Sequence, residues 1–351
     1  MSTRPPASGQ GTTATAPWWR RPPFRARDRE REAQALALEF AGFLSGRSDE
    51  RALLKAAAPA HPDVFWTALE LFADNIGGGE WQHLSHALYD LPHVRREQRR
   101  LGLASVWRRA AAARHLGLLD APGIRMPLMR AMMRGPVLVT LTAALALARV
   151  KERGALRWLL LNPHATGSRS RYQLAALIKR FGPGAAPQLR RALREGRGES
   201  PIGLATIEAL GLWKDHRSRG RLEALLLAGG TETRIAAARA LGGIGDPRSG
   251  AALSEALSDA SWPVRAQAAR ALSQLGIPVA IQRLIAAMED PGWWVRRNAG
   301  YALATMGQPG EQALHWVRHQ SRDRYAQEMA AEVLQAIEWD RESPGGISRV
   351  E

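Results

Sequence analysis

Apolar residues recur at helical spacing along most of the chain, and short polar, glycine or proline segments separate these patterns. Val264, Ala268 and Leu272 fall on one face of a helix, and residues 249–259 carry a second, shorter apolar face. Gly or Asp-Pro marks the turn between such pairs, as in GIGDPR at residues 243–248. No segment rich in β-forming residues interrupts the series, so the pattern predicts an all-α fold built from paired short helices.

The paired helices repeat every 31 residues, for example from Leu241 to Leu272. The segments TRIAAARALGGIG (233–245), VRAQAARALSQLG (264–276) and VRRNAGYALATMG (295–307) align at this period without a gap. Small residues where helices cross let the axes approach, and leucines fill the space beside them. We count about seven units between residues 104 and 340, with a one-residue phase shift near residues 177–182, and predict an α-solenoid. The residues in register are Leu241, Leu272, Leu303, Leu334, Ala237, Ala268, Ala299 and Ala330.

Asp259–Gly276 follows the pattern D-x4-VR-x2-A-x2-AL-x2-LG almost position for position. This pattern resembles the HEAT repeat in its bacterial version, which is named after the phycobilisome-lyase proteins. The resemblance covers about two thirds of the chain. It implies a right-handed α-solenoid in which the Val-Arg helix of each unit lines the concave face and its arginine joins a ladder along the groove. It implies no single function, because the family spans scaffolds, adaptors, lyase subunits and uncharacterised proteins.

The rest of the chain differs from the repeats. Residues 1–32 are rich in Pro, Arg, Ser and Thr, and they predict a disordered basic tail that runs into a charged helix start. Residues 33–103 have helical patterns without the period, and we expect them to cap the first repeat, because an open solenoid end exposes apolar surface. The predicted solenoid occupies residues 104–340, and residues 341–351 are expected to form a flexible tail.

The stretch DPGWWVRRNAG begins the helix of one repeat, and its first arginine, Arg296, aligns with Arg265 and Arg234. Such an arginine can pair with an acidic residue at the preceding turn, for example Asp259 or Asp290, or it can bind a ligand. We expect the ion pair, because arginine–carboxylate pairs are common structural contacts.

Two residues of this stretch are not explained by the repeat. Trp294 aligns with Pro263, and Arg297 aligns with the uncharged Ala266. We therefore expect both to contribute to a partner-binding surface, since tryptophan and arginine often anchor interfaces. The candidate partner-binding residues of these repeats are Arg234, Arg239, Arg265, Arg270, Trp294, Arg296 and Arg297.

Positive charge is concentrated in the middle of the chain. The formal net charge is +16, and residues 111–220 hold 19 Lys or Arg against 6 Asp or Glu. An excess this local attracts phosphates, acidic proteins or anionic headgroups, although a GC-rich genome would also favour arginine. The candidate binding residues in this region, at helical spacing, are Arg190, Arg191, Arg194 and Arg197.

No motif of catalysis or cofactor binding occurs in the sequence. The chain has no cysteine, which excludes disulfides, iron–sulfur clusters and thiolate zinc sites. His315 and His319 share a helix face, but no third ligand is evident, so we expect no metal. HEAT-like hydroxylases of the deoxyhypusine type bind iron through His-Glu pairs, and the sequence contains no His-Glu dipeptide. We therefore expect no cofactor and no enzymatic activity; lyase activity is implied only by the family's name.

These observations favour a non-enzymatic scaffold or adaptor, which would bind a protein partner with an acidic or extended segment through its concave groove and basic central face. Nucleic-acid binding through the arginine-rich repeats of residues 111–220 is the alternative, because the same side chains would neutralise phosphates. A weaker alternative is a peripheral membrane accessory of envelope-polysaccharide machinery, with the basic face on anionic lipid. The longest apolar run, Pro136–Ala148, predicts a buried helix, so we expect a soluble, cytoplasmic monomer.

Overall fold

The computed structural model describes residues 24–342 except 74, 75, 77 and 104. These residues form 20 α-helices joined by turns and short 3-10 segments, and they contain no strand. Residues 1–23 of the predicted basic tail and 343–351 of the C-terminal tail lie outside the described part. Residues 24–32, the charged end of the predicted tail, belong to a helix that begins at Phe24.

The chain divides into two compact units at residue 124. In unit 1, the first helix packs against the next three, and the fifth packs against the sixth. The sixth helix was predicted to open the solenoid after residue 103, but it belongs to unit 1, where it packs on the fifth helix and buries Ala110, Ala112 and Ala113. The helices are α1 (Phe24–Leu44), α2 (Glu50–Ala57), α3 (Pro62–Ala73), α4 (Gly78–Leu88), α5 (Pro92–Leu103), α6 (Val106–Leu116) and α7 (Pro122–Arg134), the last of which continues into unit 2.

Unit 2 contains six helical hairpins followed by one further helix within the described residues. The helices are α8 (Val137–Arg149), α9 (Arg153–Leu161), α10 (Arg171–Phe181), α11 (Ala186–Arg194), α12 (Pro201–Leu212), α13 (Arg219–Ala228), α14 (Thr231–Ile244), α15 (Gly250–Glu255), α16 (Trp262–Leu275), α17 (Ile281–Ala287), α18 (Trp293–Ala304), α19 (Gln308–Gln320) and α20 (Arg324–Glu342). The long apolar run forms α8, which is largely buried, as predicted.

The hairpins of unit 2 stack in two layers. Helices α8, α10, α12, α14, α16, α18 and α20 pack consecutively on one another, and we call them layer A. The second helices of the hairpins, α9, α11, α13, α15, α17 and α19, form layer B beside them. Arg234, Arg265 and Arg296 lie on α14, α16 and α18, which correspond to the Val-Arg helix of the repeat, so the candidate residues on those helices lie in layer A. This arrangement confirms the predicted all-α solenoid.

One residue per hairpin of unit 2 has a positive φ, in the left-handed half of the Ramachandran plot, where its two helices meet. Four of these positions are glycines near the ends of the layer A helices, and two are lysines, Lys151 with φ of 54° and Lys214 with φ of 51°. The positions follow the repeat period except between Gly182 and Lys214, where the interval is longer, and this confirms the phase shift predicted near that point. The positions are Lys151, Gly182, Lys214, Gly245, Gly276 and Gly307.

Small residues allow the layer A helices to approach closely. A Cβ on Gly211 would lie 2.6 Å from the Cα of Ala240, and one on Gly242 would lie 2.9 Å from the Cα of Ala271. No side chain fits at these crossings without moving a backbone. Beside them Leu272 is completely buried, so the predicted repeat core is confirmed.

Candidate functional site

The ladder arginines join consecutive repeats. Arg234 donates from Nε and Nη2 to the Asp259 carboxylate at 2.7 and 2.9 Å. Arg265 donates from the same two atoms to Asp290 at 2.5 and 3.0 Å. We predicted a partner at the preceding turn. That prediction is wrong for the carboxylate, which comes from the following repeat; the preceding turn supplies only a carbonyl, as when Arg265 Nη1 donates to the Asp259 oxygen at 2.8 Å.

The two arginine–aspartate pairs, which we call rungs of the ladder, are charged and partly buried. Burial raises the pKa of Asp259, but hydrogen bonds from Arg234 and from the Ser261 amide outweigh it and hold the pKa below its usual range. The hydrogen bond to Asp290 raises the pKa of Arg265. Arg234 and Arg265 therefore act as ionised structural links and are not free to bind a ligand.

Arg296 differs from the two arginines before it. Its Nη1 donates to the carbonyl oxygens of Asp290 at 2.8 Å and Pro291 at 3.0 Å, as in the earlier rungs. Its guanidinium carbon lies 5.2 Å from the centre of the Tyr325 ring. It forms no ion pair with any carboxylate of the described residues, and its Nε is buried without a hydrogen-bond partner there.

Aromatic rings and cations cover the beginning of α18. The rings of Trp293 and Trp294 meet edge to face with centroids 4.7 Å apart. The Arg297 guanidinium lies over Tyr301 at 4.7 Å and over Trp293 at 5.8 Å. These contacts account for part of the arginine's position, since a cation over a ring is attracted by the ring quadrupole. Trp294 remains 54% exposed.

Tyr325 was not predicted from the sequence, although the repeat contains the signal. It stands one repeat period after Trp294, at the start of α20, and it is 62% exposed. Trp294 therefore has an aromatic counterpart in the following repeat. Six residues are linked by the ring and guanidinium contacts described above or by sharing α18, and we call them the aromatic–arginine surface: Trp293, Trp294, Arg296, Arg297, Tyr301 and Tyr325.

Arg239 and Arg270 occupy the same register in successive layer A helices, and both are exposed. Arg239 Nη1 lies 3.8 Å from Glu208, which also pairs with Arg171 at 3.4 Å. Arg270 makes no hydrogen bond or ion pair with the described residues. Tyr301 follows Arg270 in this register, so Arg270 lies in line with the aromatic–arginine surface.

The other candidate arginines lie on or just after α11, in layer B, so the fold does not bring them together with the ladder. Arg190 pairs with Asp215 at 2.6 Å, and Arg191 pairs with Glu195 at 2.8 Å. Arg197 lies 3.5 Å from the same glutamate and donates to the Leu160 carbonyl at 3.4 Å. Arg194 is exposed and has no partner among the described residues.

Unit 1 holds a buried charge cluster that sequence analysis did not find. Glu97 is 1% exposed and accepts a hydrogen bond from Arg100 at 2.8 Å, and His115 lies 3.8 Å away. Burial raises the pKa of Glu97, but the His115 and Arg100 side chains outweigh it and lower the pKa overall. The His115 ring stacks on Trp66 with centroids 4.7 Å apart, so these groups stabilise the packing of unit 1.

In the described residues, no group of three or more His, Asp or Glu is placed to hold a metal ion. His315 and His319 both lie exposed on α19. No helix in the same part of the chain is long and apolar enough to cross a membrane.

The fold and the ladder define an α-solenoid of repeated helical hairpins, and family comparisons identify its repeats. Residues 250–338 match the family model of HEAT repeats, and residues 233–259 match that of the PBS lyase HEAT-like repeat. The predicted resemblance is therefore confirmed for these repeats. A comparison with curated protein sequences gives no match.

Solved structures similar to the chain include human deoxyhypusine hydroxylase in complex with glycerol, at 18% identity over 91% of this chain and 100% of that chain, with a TM-score of 0.31. An engineered protein matches at 17% identity over 71% of this chain and 98% of its own, with a TM-score of 0.33. The complex of CpcE and CpcF of phycocyanin lyase from Nostoc sp. PCC7120 matches at 18% identity over 70% and 94% respectively, with a TM-score of 0.29. Such likenesses carry no functional information.

Proposed function

We propose that the chain is a non-enzymatic, cytoplasmic scaffold that binds a protein partner through the aromatic–arginine surface of its C-terminal repeats. The observation that most directly supports this proposal is that the exposed rings of Trp294 and Tyr325 lie beside arginines that have no carboxylate partner among the described residues. Trp, Tyr and Arg are the residue types that most often carry binding energy at protein interfaces. Covering these rings removes apolar surface from water, which favours association.

The partner should present an acidic, extended segment. Arg270, Arg296 and Arg297 form no ion pair within the described residues, so their positive charge is available to an approaching carboxylate. Such charges steer the encounter and select partners of opposite sign. The HEAT-repeat resemblance supports this placement, because it assigns the Val-Arg helices to the concave groove of the solenoid.

Nucleic-acid binding through residues 111–220 receives less support from the geometry. Arg190, Arg191 and Arg197 are engaged by carboxylates or a carbonyl, and they lie in layer B. Arg171 is likewise held by Glu232 and Glu208. These pairs leave fewer guanidinium groups open to phosphates than the sequence count predicts.

A matched pair of double variants tests the proposal. Trp294→Pro with Arg297→Ala copies the residues that the preceding repeat has at these positions, and proline suits the first turn of a helix. The control is Trp316→Ala with Arg318→Ala, which removes an exposed tryptophan and arginine from α19 in layer B. Both proteins are used for nuclease-treated affinity capture from the native organism, beside melting curves.

We expect the first variant to melt like the parent and to lose a partner that the control retains. Purified partner should then bind the first variant more weakly by at least about 1 kcal/mol. Equal capture by both variants would contradict the proposal. A large drop in melting temperature confined to the first variant would make Trp294 and Arg297 structural instead.

A further inference from the structure

The third rung of the arginine ladder lacks its carboxylate. The position of Asp259 and Asp290 is taken in the next repeat by Ser321. The turn is otherwise equivalent, because Ser321 Oγ accepts from the Asp323 amide at 3.1 Å, as Asp290 Oδ1 accepts from the Gly292 amide at 2.7 Å. Arg296 is thus the ladder arginine that the following repeat does not neutralise.

Arg296 differs from the two earlier ladder arginines at the Nε–Nη2 edge of its guanidinium. In Arg234 and Arg265, Nε and Nη2 hold the carboxylate while Nη1 holds a carbonyl of the preceding turn. In Arg296, Nη1 keeps its carbonyl bonds, whereas Nε has no partner among the described residues. Glu289 accepts a hydrogen bond from Ser321 Oγ at 2.7 Å and forms no ion pair with Arg296.

We propose that the Nε–Nη2 edge of Arg296 receives an Asp or Glu carboxylate from the protein partner and thereby completes the ladder. This inference rests on the proposed function and specifies the chemistry of the partner. A carboxylate is favoured over other anions because this chain holds carboxylates on the same edge twice. A two-bond arginine–carboxylate contact shielded from water is both strong and selective in geometry.

The neighbouring rings fit this role. Tyr325 lies over the Arg296 guanidinium and is largely exposed, so it has room to shift as the carboxylate reaches Nε. Trp293 and Trp294 lie at the start of the same helix, where they can cover the residues that flank the acidic side chain. The partner segment is therefore an acidic residue with apolar neighbours.

The following repeat shows which residue can replace Arg296 without losing the bond to the turn. Gln327 stands one repeat period after Arg296, and its Nε2 donates to the Ser321 carbonyl at 2.7 Å. Arg296→Gln should therefore keep the carbonyl bond and the fold while losing the Nε–Nη2 edge. Ser321→Asp does the converse, because it places a carboxylate of the chain itself where the partner's would lie, and Ser321→Asn is its uncharged control.

The test measures anisotropy of a fluorescein-labelled poly-glutamate peptide at physiological salt, with poly-glutamine and a poly-thymidine oligonucleotide as comparison probes. We expect wild type to bind poly-glutamate in preference to both. Arg296→Gln should weaken binding by about tenfold or more, as for hydrogen bonds to a charged group. Ser321→Asp should weaken it similarly, while Ser321→Asn and Arg318→Gln leave it unchanged.

Three results would overturn the inference: no binding of poly-glutamate by wild type, unchanged binding by Arg296→Gln, or Arg296-dependent binding of the oligonucleotide alone. If Ser321→Asp fails to fold, Arg296→Gln decides the matter. If Arg296→Gln retains the natural partner while the Trp294→Pro, Arg297→Ala variant loses it, the carboxylate site is wrong and the proposed function stands. If both variants retain the partner, the proposed function itself fails.

Discussion

Arg265 and Asp290 form a two-bond ion pair that fastens one repeat to the next, with their side chains 15% and 9% exposed. Arg234 and Asp259 repeat the contact one period earlier. At Arg296 the series ends, because Ser321 takes the place of the next aspartate. One type of residue therefore stabilises the stack at two positions and has no carboxylate partner among the described residues at a third.

The Arg234–Asp259 rung should make stability depend on pH. Asp259→Asn should lower the free energy of unfolding by about 1–3 kcal/mol at neutral pH, because Arg234 would keep its charge in a partly buried place. The pKa of Asp259 is lowered in the folded chain relative to about 3.9 when unfolded, so its contribution is present above that value and lost as pH falls.

Urea unfolding of wild type and Asp259→Asn at several pH values measures this contribution. The two curves should be well separated at neutral pH and should converge below about pH 4. Glu255→Gln supplies the control, because Glu255 is exposed and forms no ion pair with the described residues. A separation that persists at low pH would show that the carboxylate's charge is not what matters.

The core of the repeat should tolerate neither a smaller nor a larger residue. Leu272 and Ala268 are both completely buried on α16. Leu272→Ala should cost about 2–5 kcal/mol through the cavity it leaves. Ala268→Leu should cost about 1–3 kcal/mol through overpacking at the helix crossing. Chemical denaturation checks both, and melting of both variants like the parent would mean that the register of the repeat is misassigned.

The left-handed turn position should prefer glycine in every repeat. Lys214→Gly should raise the free energy of unfolding by about 0.5–1 kcal/mol, because lysine strains the backbone at φ of 51°. Gly276→Ala, at φ of 60° in the equivalent place, should lower it by about 1–2 kcal/mol. Lys151→Gly should gain less than Lys214→Gly, since Lys151 Nζ also donates to the Arg180 carbonyl. Calorimetry of the three variants decides, and a destabilised Lys214→Gly would count against the shared turn.

Much of the fold was predictable because helical periodicity is a local property. The repeat period, the burial of Leu272 and the small residues at helix crossings follow from the order of residues along each helix. The carboxylate that Arg265 selects was not predictable in this way. The sequence has one aspartate in the turn before Arg265 and another in the corresponding turn of the next repeat. The stacking of the repeats brings the second, Asp290, to the guanidinium.

The candidate site was partly predictable for a similar reason. Alignment singled out Trp294 and Arg297, which the structure places among exposed rings and cations. Tyr325 lies one period after Trp294, but Ala326 and Gln327 stand where the earlier helices have Val and Arg, so the sequence marks this helix less clearly as a repeat. Arg190 and its neighbours were chosen by local charge and helical spacing, which do not show to which layer a helix belongs, and the structure places them in layer B.

Nucleic-acid affinity tests the nucleic-acid alternative. If phosphates bind the arginines of residues 111–220, duplex DNA affinity should fall with salt at a log–log slope of about −0.9 per phosphate neutralised. We expect weak binding at low salt that disappears at physiological salt, because several of these arginines are already paired. Anisotropy with duplex DNA, single-stranded DNA and RNA measures it. Tight binding that survives physiological salt would restore the nucleic-acid function.

Site-specific photo-crosslinking tests the proposed partner surface most directly. The photoreactive residue p-benzoylphenylalanine replaces Trp294 in layer A or, as the control, the similarly exposed Trp316 in layer B, and cells of the native organism are irradiated. We expect a discrete protein to be crosslinked from position 294 and not from position 316, and to be lost when Arg297→Ala is added. Crosslinking that is equal at the two positions, that captures nucleic acid, or that yields no protein at position 294 would contradict the proposed surface.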